Sequence, residues 1–122
     1  MPARKGADFL KHLKSNPPEI YHRGERIADF TTHPEFKGHA NSLAGIYDLQ
    51  WQNPDVMLVK DDETGELIGR THHIPKTAED IRLLSQCMLK IAEFSCGMMG
   101  RSPDYLNRAM ASYAGGWKYL AE

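Results

Sequence analysis

Between Thr77 and Met99 the apolar side chains Ile81, Leu84, Met88, Ile91, Phe94 and Met98 recur three or four residues apart and so fall on one stripe of a helix. A strand sends successive side chains to opposite faces and cannot gather that spacing on one side. The segment is therefore expected to be a helix burying one face, and whatever else the chain forms must pack around it. Thr77, with Asp80 three residues on, is a variant of the capping box and marks its start. Met88, Met98 and Met99 read as core filler, because thioethers at helical spacing pack well and coordinate only soft metals.

Shorter elements surround this helix. A first helix is expected from about Gly6 to Lys14, with Phe9, Leu10 and Leu13 on one face and Asn16-Pro17-Pro18 as its stop. Glu19 to Tyr21 and Ile27 to Phe30 flank the polar segment His22 to Arg26 and read as a short hairpin. Thr32 or Thr31 is expected to cap a helix entered through His33-Pro34, carrying Phe36, Ala40, Leu43, Ala44, Ile46, Tyr47 and Trp51 and ending at Asn53-Pro54. Val56 to Val59 and Glu66 to Gly69, around Asp61 to Gly65, read as a second hairpin. The last helix is expected from Pro103 to about Ala114, broken by Gly115-Gly116, with Trp117, Tyr119 and Leu120 either packed back on the core or reserved for other domains. The fold class is mainly α with two short β-hairpins, in a single domain over residues 1–122.

The chain's 122 residues suffice for one modest core, burying about two-thirds of the unfolded surface. Fifteen Lys and Arg against sixteen Asp and Glu leave a formal charge of -1, so no global field would draw nucleic acid or an anionic membrane. No apolar run approaches the ~20 residues of a membrane span, and no secretory core follows Met1, so a cytoplasmic address is expected. Cys87 and Cys96, on one expected helix, would lie ~13 Å apart along its axis, too far to pair. Both are expected to be buried and reduced. His72 and His73 are adjacent, and His33 and His39 lack the spacing of helical zinc ligands. The acidic run Asp61-Asp62-Glu63 lacks the rest of a calcium loop, so no metal site is expected.

The segment Gly97-Met98-Met99-Gly100-Arg101-Ser102-Pro103-Asp104-Tyr105 carries the most chemistry. Ser102 can cap, Pro103 suits the first helical position, and Asp104 favours the positive end of the helix dipole. Tyr105 then falls in the first turn, with Arg101 just before the cap. A guanidinium stays charged at any working pH and donates to oxygen in a planar fork, so the pair suits an anionic or phenolic ligand. An ordinary capped helix start with an exposed Arg is the alternative reading of the same residues.

Together with Gly24-Glu25-Arg26-Ile27-Ala28-Asp29-Phe30-Thr31-Thr32-His33-Pro34-Glu35-Phe36 and Ile74-Pro75-Lys76-Thr77-Ala78-Glu79-Asp80-Ile81, this segment resembles the N-terminal domain of the 4-hydroxyphenylacetate 3-monooxygenase family, the oxygenase components of two-component phenol hydroxylases. The resemblance covers the chain from about Lys5 onward. It implies the fold of the acyl-CoA dehydrogenases, in which a helical N-terminal domain, a β middle domain and a C-terminal helical bundle jointly enclose the flavin. This chain would then be the N-terminal domain alone, excised, truncated or descended from one. It also implies reduced FAD delivered by a separate reductase, shared with the other domains and not held tightly by this chain.

The phenolic substrate would be hydroxylated beside its existing hydroxyl, and Arg101 and Tyr105 match the family residues that hold the phenolic oxygen. No catalytic residue is assigned within the chain. The partners implied are the phenol, the remaining domains or a homo-oligomer, and the reductase. Two alternatives stand beside this reading. One is a stand-alone helical interaction domain that kept the fold and lost the chemistry. The other is kinship with the 4-hydroxybutyryl-CoA dehydratases, which resemble the family in fold but hold an iron-sulfur cluster on cysteines spaced four apart; here Cys96 is followed at that spacing by Gly100.

Overall fold

The computed structural model describes residues 2–98 and 102–121. The chain divides into two compact units, Arg4–Asp48 and Leu49–Glu122 together with Met1–Ala3. Mainly helical structure with two small antiparallel hairpins is observed, as expected.

The first unit opens with α1, Gly6–Ser15. Its start packs against α2, Lys37–Gln52, so tightly that a Cβ on Gly6 would stand 2.5 Å from the Ala44 carbonyl oxygen. The Gly6 amide donates to the Asp48 carboxylate at 2.8 Å, and the Phe9 and Tyr47 rings lie 5.1 Å apart. Of the hairpin strands, β1 at Tyr21–His22 begins at the last residue of its expected strand and β2 at Glu25–Arg26 lies inside the segment expected to be the turn. Arg23 and Gly24 both take positive φ, 52° and 86°, as a tight two-residue hairpin turn requires.

Nor does α2 begin at Thr31 or Thr32. Asp29 accepts from both the Thr31 amide and its hydroxyl, at 2.8 and 2.7 Å, and so holds these residues in a turn. The helix starts at Lys37, after the stacked rings of Phe30 and Phe36.

In the second unit Asn53-Pro54 ends α2 as expected, and Pro54 then opens a short helix, α3, Pro54–Met57. The following hairpin pairs β3, Leu58–Lys60, with β4, Leu67–Gly69, in the register Leu58 to Gly69 and Lys60 to Leu67. Val56 and Met57 therefore belong to α3 instead of a strand. Asp61 closes the turn by accepting from the Thr64 amide and hydroxyl. A single 3-10 turn, Arg70–His72, leads to α4, Ala78–Phe94.

Thr77 and Asp80 form the reciprocal capping box expected of them. The helix stops at Phe94, short of the expected end, because Cys96 and Gly97 adopt φ of 52° and 81°. The expected buried stripe is also narrower. Ile91 is fully buried, whereas Ile81 is 60% exposed and Phe94 and Met98 are exposed as well. The core of Met57, Cys87 and Ile91, with Leu49, Val56 and Met88 against it, sits where α4 meets α3. Two helices, α5 at Pro103–Gly115 and α6 at Trp117–Leu120, complete the unit; Trp117, Tyr119 and Leu120 are exposed. Among the described residues no helix is long and apolar enough to cross a membrane.

Candidate functional site

The start of α5 combines a buried carboxylate with an exposed phenol. Ser102 occupies the cap position with extended backbone and Pro103 the first turn, but the Ser102 side chain makes no capping hydrogen bond. The first turn is closed instead by the Ser102 carbonyl, which accepts the Tyr105 amide at 3.3 Å. Asp104 is not merely a favourable charge near the dipole. It is 5% exposed, and its carboxylate accepts the hydroxyl of Thr71, itself 2% exposed, at 2.8 Å.

Further bonds join it in fastening α5 to the 3-10 turn and the residue after it. The Asn107 amide nitrogen lies 3.0 Å from His72 Nε2, and the Arg108 guanidinium donates to the His73 carbonyl at 2.9 Å. Positions 104, 107, 108 and 111 share one helical face, and Ala111 is its buried apolar member. The opposite face carries Leu106, Met110, Tyr113 and, beyond the helix, Trp117, all exposed. A surface helix ordinarily turns its apolar stripe toward the protein. In this unit α5 does the reverse, docking through directed polar bonds.

The turn that carries Thr71 is itself anchored. Arg70 is buried, and its guanidinium donates to the carbonyls of Asp55 and Leu58 at 3.3 and 2.9 Å and to that of Val56. Two of those carbonyls lie in the last turn of α3, where a helix has no partners of its own for them, and the third is at the first residue of β3. Arg70 thus supplies the missing donors and ties the 3-10 turn to α3.

Two titratable groups respond to this setting. Burial pushes the Cys87 thiol up to about 12, with the Asp104 charge adding and Arg70 opposing. Cys87 is thereby a neutral, unreactive thiol. His72 is exposed as a residue, yet partial desolvation of its ring holds it below its ordinary value, against the pull of Asp104. A neutral ring that accepts from Asn107 at Nε2 carries its proton on Nδ1. The adjacent His72 and His73 turn toward different partners, with His73 Nε2 3.9 Å from Asp80. Cys96 differs from expectation too: it is exposed, lying past the end of α4.

Of the two residues read from sequence as ligand-binding, Tyr105 is 54% exposed on the flank of α5 between its polar and apolar faces. Arg101 lies outside the described residues. Sequence reasoning did not find Thr71, Arg70, His72 or Asn107. Asp104 was read only as a charge favoured at the helix start, and its partner lies 33 residues upstream in Thr71.

Residues 5–122 match the family described as 4-hydroxyphenylacetate 3-hydroxylase N terminal. The chain is 40% identical over 120 residues to the 4-hydroxyphenylacetate 3-monooxygenase oxygenase component of Thermus thermophilus, a match covering 98% of this chain and 25% of that protein. A crystal structure of such an oxygenase component, complexed with FAD and 4-hydroxyphenylacetate, matches with a TM-score of 0.87 at 39% identity, covering 98% of this chain and 25% of that one. An oxygen-tolerant archaeal 4-hydroxybutyryl-CoA dehydratase from N. maritimus matches with a TM-score of 0.66 at 26% identity, over 75% of this chain and 18% of that one. The chain spans about a quarter of the length of the curated relative it matches.

Proposed function

This chain belongs to the 4-hydroxyphenylacetate 3-hydroxylase family, and we propose that residues 1–122 serve as the N-terminal domain of a reduced-flavin-dependent monooxygenase with the acyl-CoA dehydrogenase-like fold. Its substrate is a phenol such as 4-hydroxyphenylacetate, hydroxylated ortho to the existing hydroxyl, and a separate reductase supplies the reduced flavin in the cytoplasm. The observation that carries this reading is Tyr105, held exposed in the first turn of α5 in a chain whose fold matches an oxygenase component solved with FAD and 4-hydroxyphenylacetate.

The chemistry assigned to this chain is to bind and polarise the phenol. The Tyr105 hydroxyl donates to the phenolic oxygen and the Arg101 guanidinium provides a fixed positive charge beside it. Together they favour phenolate character, which raises electron density at the ortho carbon where oxygen is inserted. Reduced FAD, when bound, supplies two electrons for dioxygen activation, one oxygen atom entering the ring and the other leaving as water.

The described residues fit the phenol wall better than a flavin cradle. The two arginines at the junction of α5 and the 3-10 turn, Arg70 and Arg108, are both taken up by backbone carbonyls. Neither is left to meet a pyrophosphate, so the flavin contacts are assigned to the rest of the enzyme.

The dehydratase alternative is disfavoured by the lower identity of that match and by Gly100 standing four residues after Cys96. The direct test is a hybrid in which this chain replaces the matching quarter of the Thermus thermophilus oxygenase component. Supplied with reduced FAD, dioxygen and 4-hydroxyphenylacetate, the hybrid is expected to release the ortho-hydroxylated product. A folded hybrid that binds FAD and hydroxylates no phenol would overturn the proposal.

A further inference from the structure

The contact between Thr71 and Asp104 has features that stability alone does not call for. A buried carboxylate loses its hydration, and two apolar side chains of similar volume would hold two elements together at least as well. A hydrogen bond adds what apolar packing lacks, a fixed direction and length. Its place is informative as well. Asp104 immediately precedes Tyr105, in a first turn without a hydroxyl cap. Before that turn the chain passes through the left-handed residues Cys96 and Gly97, so α5 does not inherit its direction from α4 as a continuous helix would. The polar contacts of Asn107 and Arg108 enter later, and Ala111 is the helix's buried apolar anchor. The Thr71 hydroxyl therefore ties the first turn directly to the 3-10 turn.

Thr71 is a reliable fixed point because its neighbour Arg70 is bonded to three carbonyls, two in α3 and one at the start of β3. A line of directed polar bonds thus runs from α3 through Arg70 and Thr71 to Asp104. The residue next to its end is Tyr105.

We propose that Thr71 and Asp104 are positioning residues for phenol binding, their hydrogen bond fixing the first turn of α5 and hence the Tyr105 hydroxyl where the phenolic oxygen must sit. This rests on the reading of Tyr105 as a phenol-binding residue. Neither Thr71 nor Asp104 touches the phenol, and both act through Tyr105. Productive geometry tolerates displacements of only a fraction of an ångström, and an error of about 1 Å costs on the order of a hundredfold in rate. In this reaction a misplaced phenol has a distinct signature: dioxygen and reduced flavin yield hydrogen peroxide and oxidised flavin, and no oxygen atom enters the ring.

The test uses the hybrid oxygenase, comparing the parent with Thr71→Val, which keeps the shape and removes the hydroxyl, and Thr71→Ser, which restores it. The measurements are KM and kcat for 4-hydroxyphenylacetate, product and peroxide formed per dioxygen consumed, FAD affinity and melting temperature. Thr71→Val is expected to raise the phenol KM about tenfold and at least halve the product yield, with peroxide making up the difference and FAD affinity unchanged. Thr71→Ser is expected to bring both within about twofold of the parent. If Thr71→Val does not fold, Thr71→Cys replaces it, since a thiol of similar size is a much weaker donor. An active parent whose Thr71→Val or Thr71→Cys variant keeps its KM and product yield would overturn this inference alone, as would failure of serine to restore them. An inactive, flavin-binding parent would overturn the reading on which it rests.

Discussion

Asp104 and Tyr105 are consecutive residues with opposite fates, one buried against Thr71 and the other exposed, and the division of labour at this site is drawn between them. In the hybrid enzyme, Tyr105→Phe and Arg101→Ala are each expected to lower hydroxylation by an order of magnitude or more while shifting the melting temperature little, because on the reading proposed above each removes a polar group that meets the phenol. Arg101→Lys should restore only part of the rate, since an ammonium lacks the planar fork. Near-parent turnover in both removals would return these residues to an ordinary helix start.

The cysteines test the environment directly. In the native chain a thiol reagent is expected to modify exposed Cys96 readily and buried Cys87 only on unfolding, and a Cys87 reacting equally fast would contradict its burial. His72 gives a pH test. Its folded basicity lies below the ordinary 6.5, so the unfolded chain takes up the proton more readily, and stability falls as pH drops below about that value. Melting temperature should therefore decline between pH 7.5 and 5.5, and less steeply in His72→Gln; identical slopes would refute the assignment. The helix start at Ser102 and Pro103 was legible in the sequence because a proline acts locally. The Thr71 contact was not, because a tertiary hydrogen bond across 33 residues leaves no periodic trace.

Among the elements, legibility follows the same rule. The start of α4 could be read from Thr77 and Asp80, each of whose side chains bonds the other's backbone amide three residues away. Thr77→Ala is expected to cost about 1 kcal/mol of stability by chemical denaturation, the usual worth of such a cap. The buried face of α4 was read less well. Its apolar residues outnumber those the core accepts, so periodicity selected a stripe reaching Ile81 and Met98, whereas contact with α3 selected Cys87 and Ile91. The first hairpin was displaced because its polar residues, His22, Glu25 and Arg26, form the strands themselves, with only Arg23 and Gly24 in the turn. Gly6 shows a constraint that composition hides. A methyl group there would meet the Ala44 carbonyl oxygen at 2.5 Å and an Asp48 carboxylate oxygen at 2.6 Å, so Gly6→Ala should destabilise the chain by about 1–3 kcal/mol despite alanine's better helix propensity. An unchanged or raised denaturation midpoint would show that α1 shifts freely.

At the scale of the whole molecule, the inward polar face of α5 and its outward row of Leu106, Met110, Tyr113 and Trp117 explain why phenol chemistry and flavin binding should separate experimentally. The helix start can present Tyr105 as one wall of a site. Enclosing a cofactor is a different demand, because ligand pockets bury some 70–90% of their ligand's surface, and for FAD they must also meet two phosphates with donors. Here Arg70 and Arg108 are already bonded to carbonyls. The chain matches about a quarter of a relative of the kind solved with FAD. We therefore expect the 122-residue chain by itself to bind FAD weakly, with a dissociation constant above about 100 μM, in either oxidation state. Anaerobic calorimetry with oxidised and reduced FAD checks this, alongside the hybrid enzyme as a positive control. Submicromolar binding to the monomeric chain would mean that a complete flavin site lies within it, and the assignment of flavin contacts to the rest of the enzyme would have to be abandoned. Weak binding by the chain together with tight binding by the hybrid is the result that a shared pocket requires.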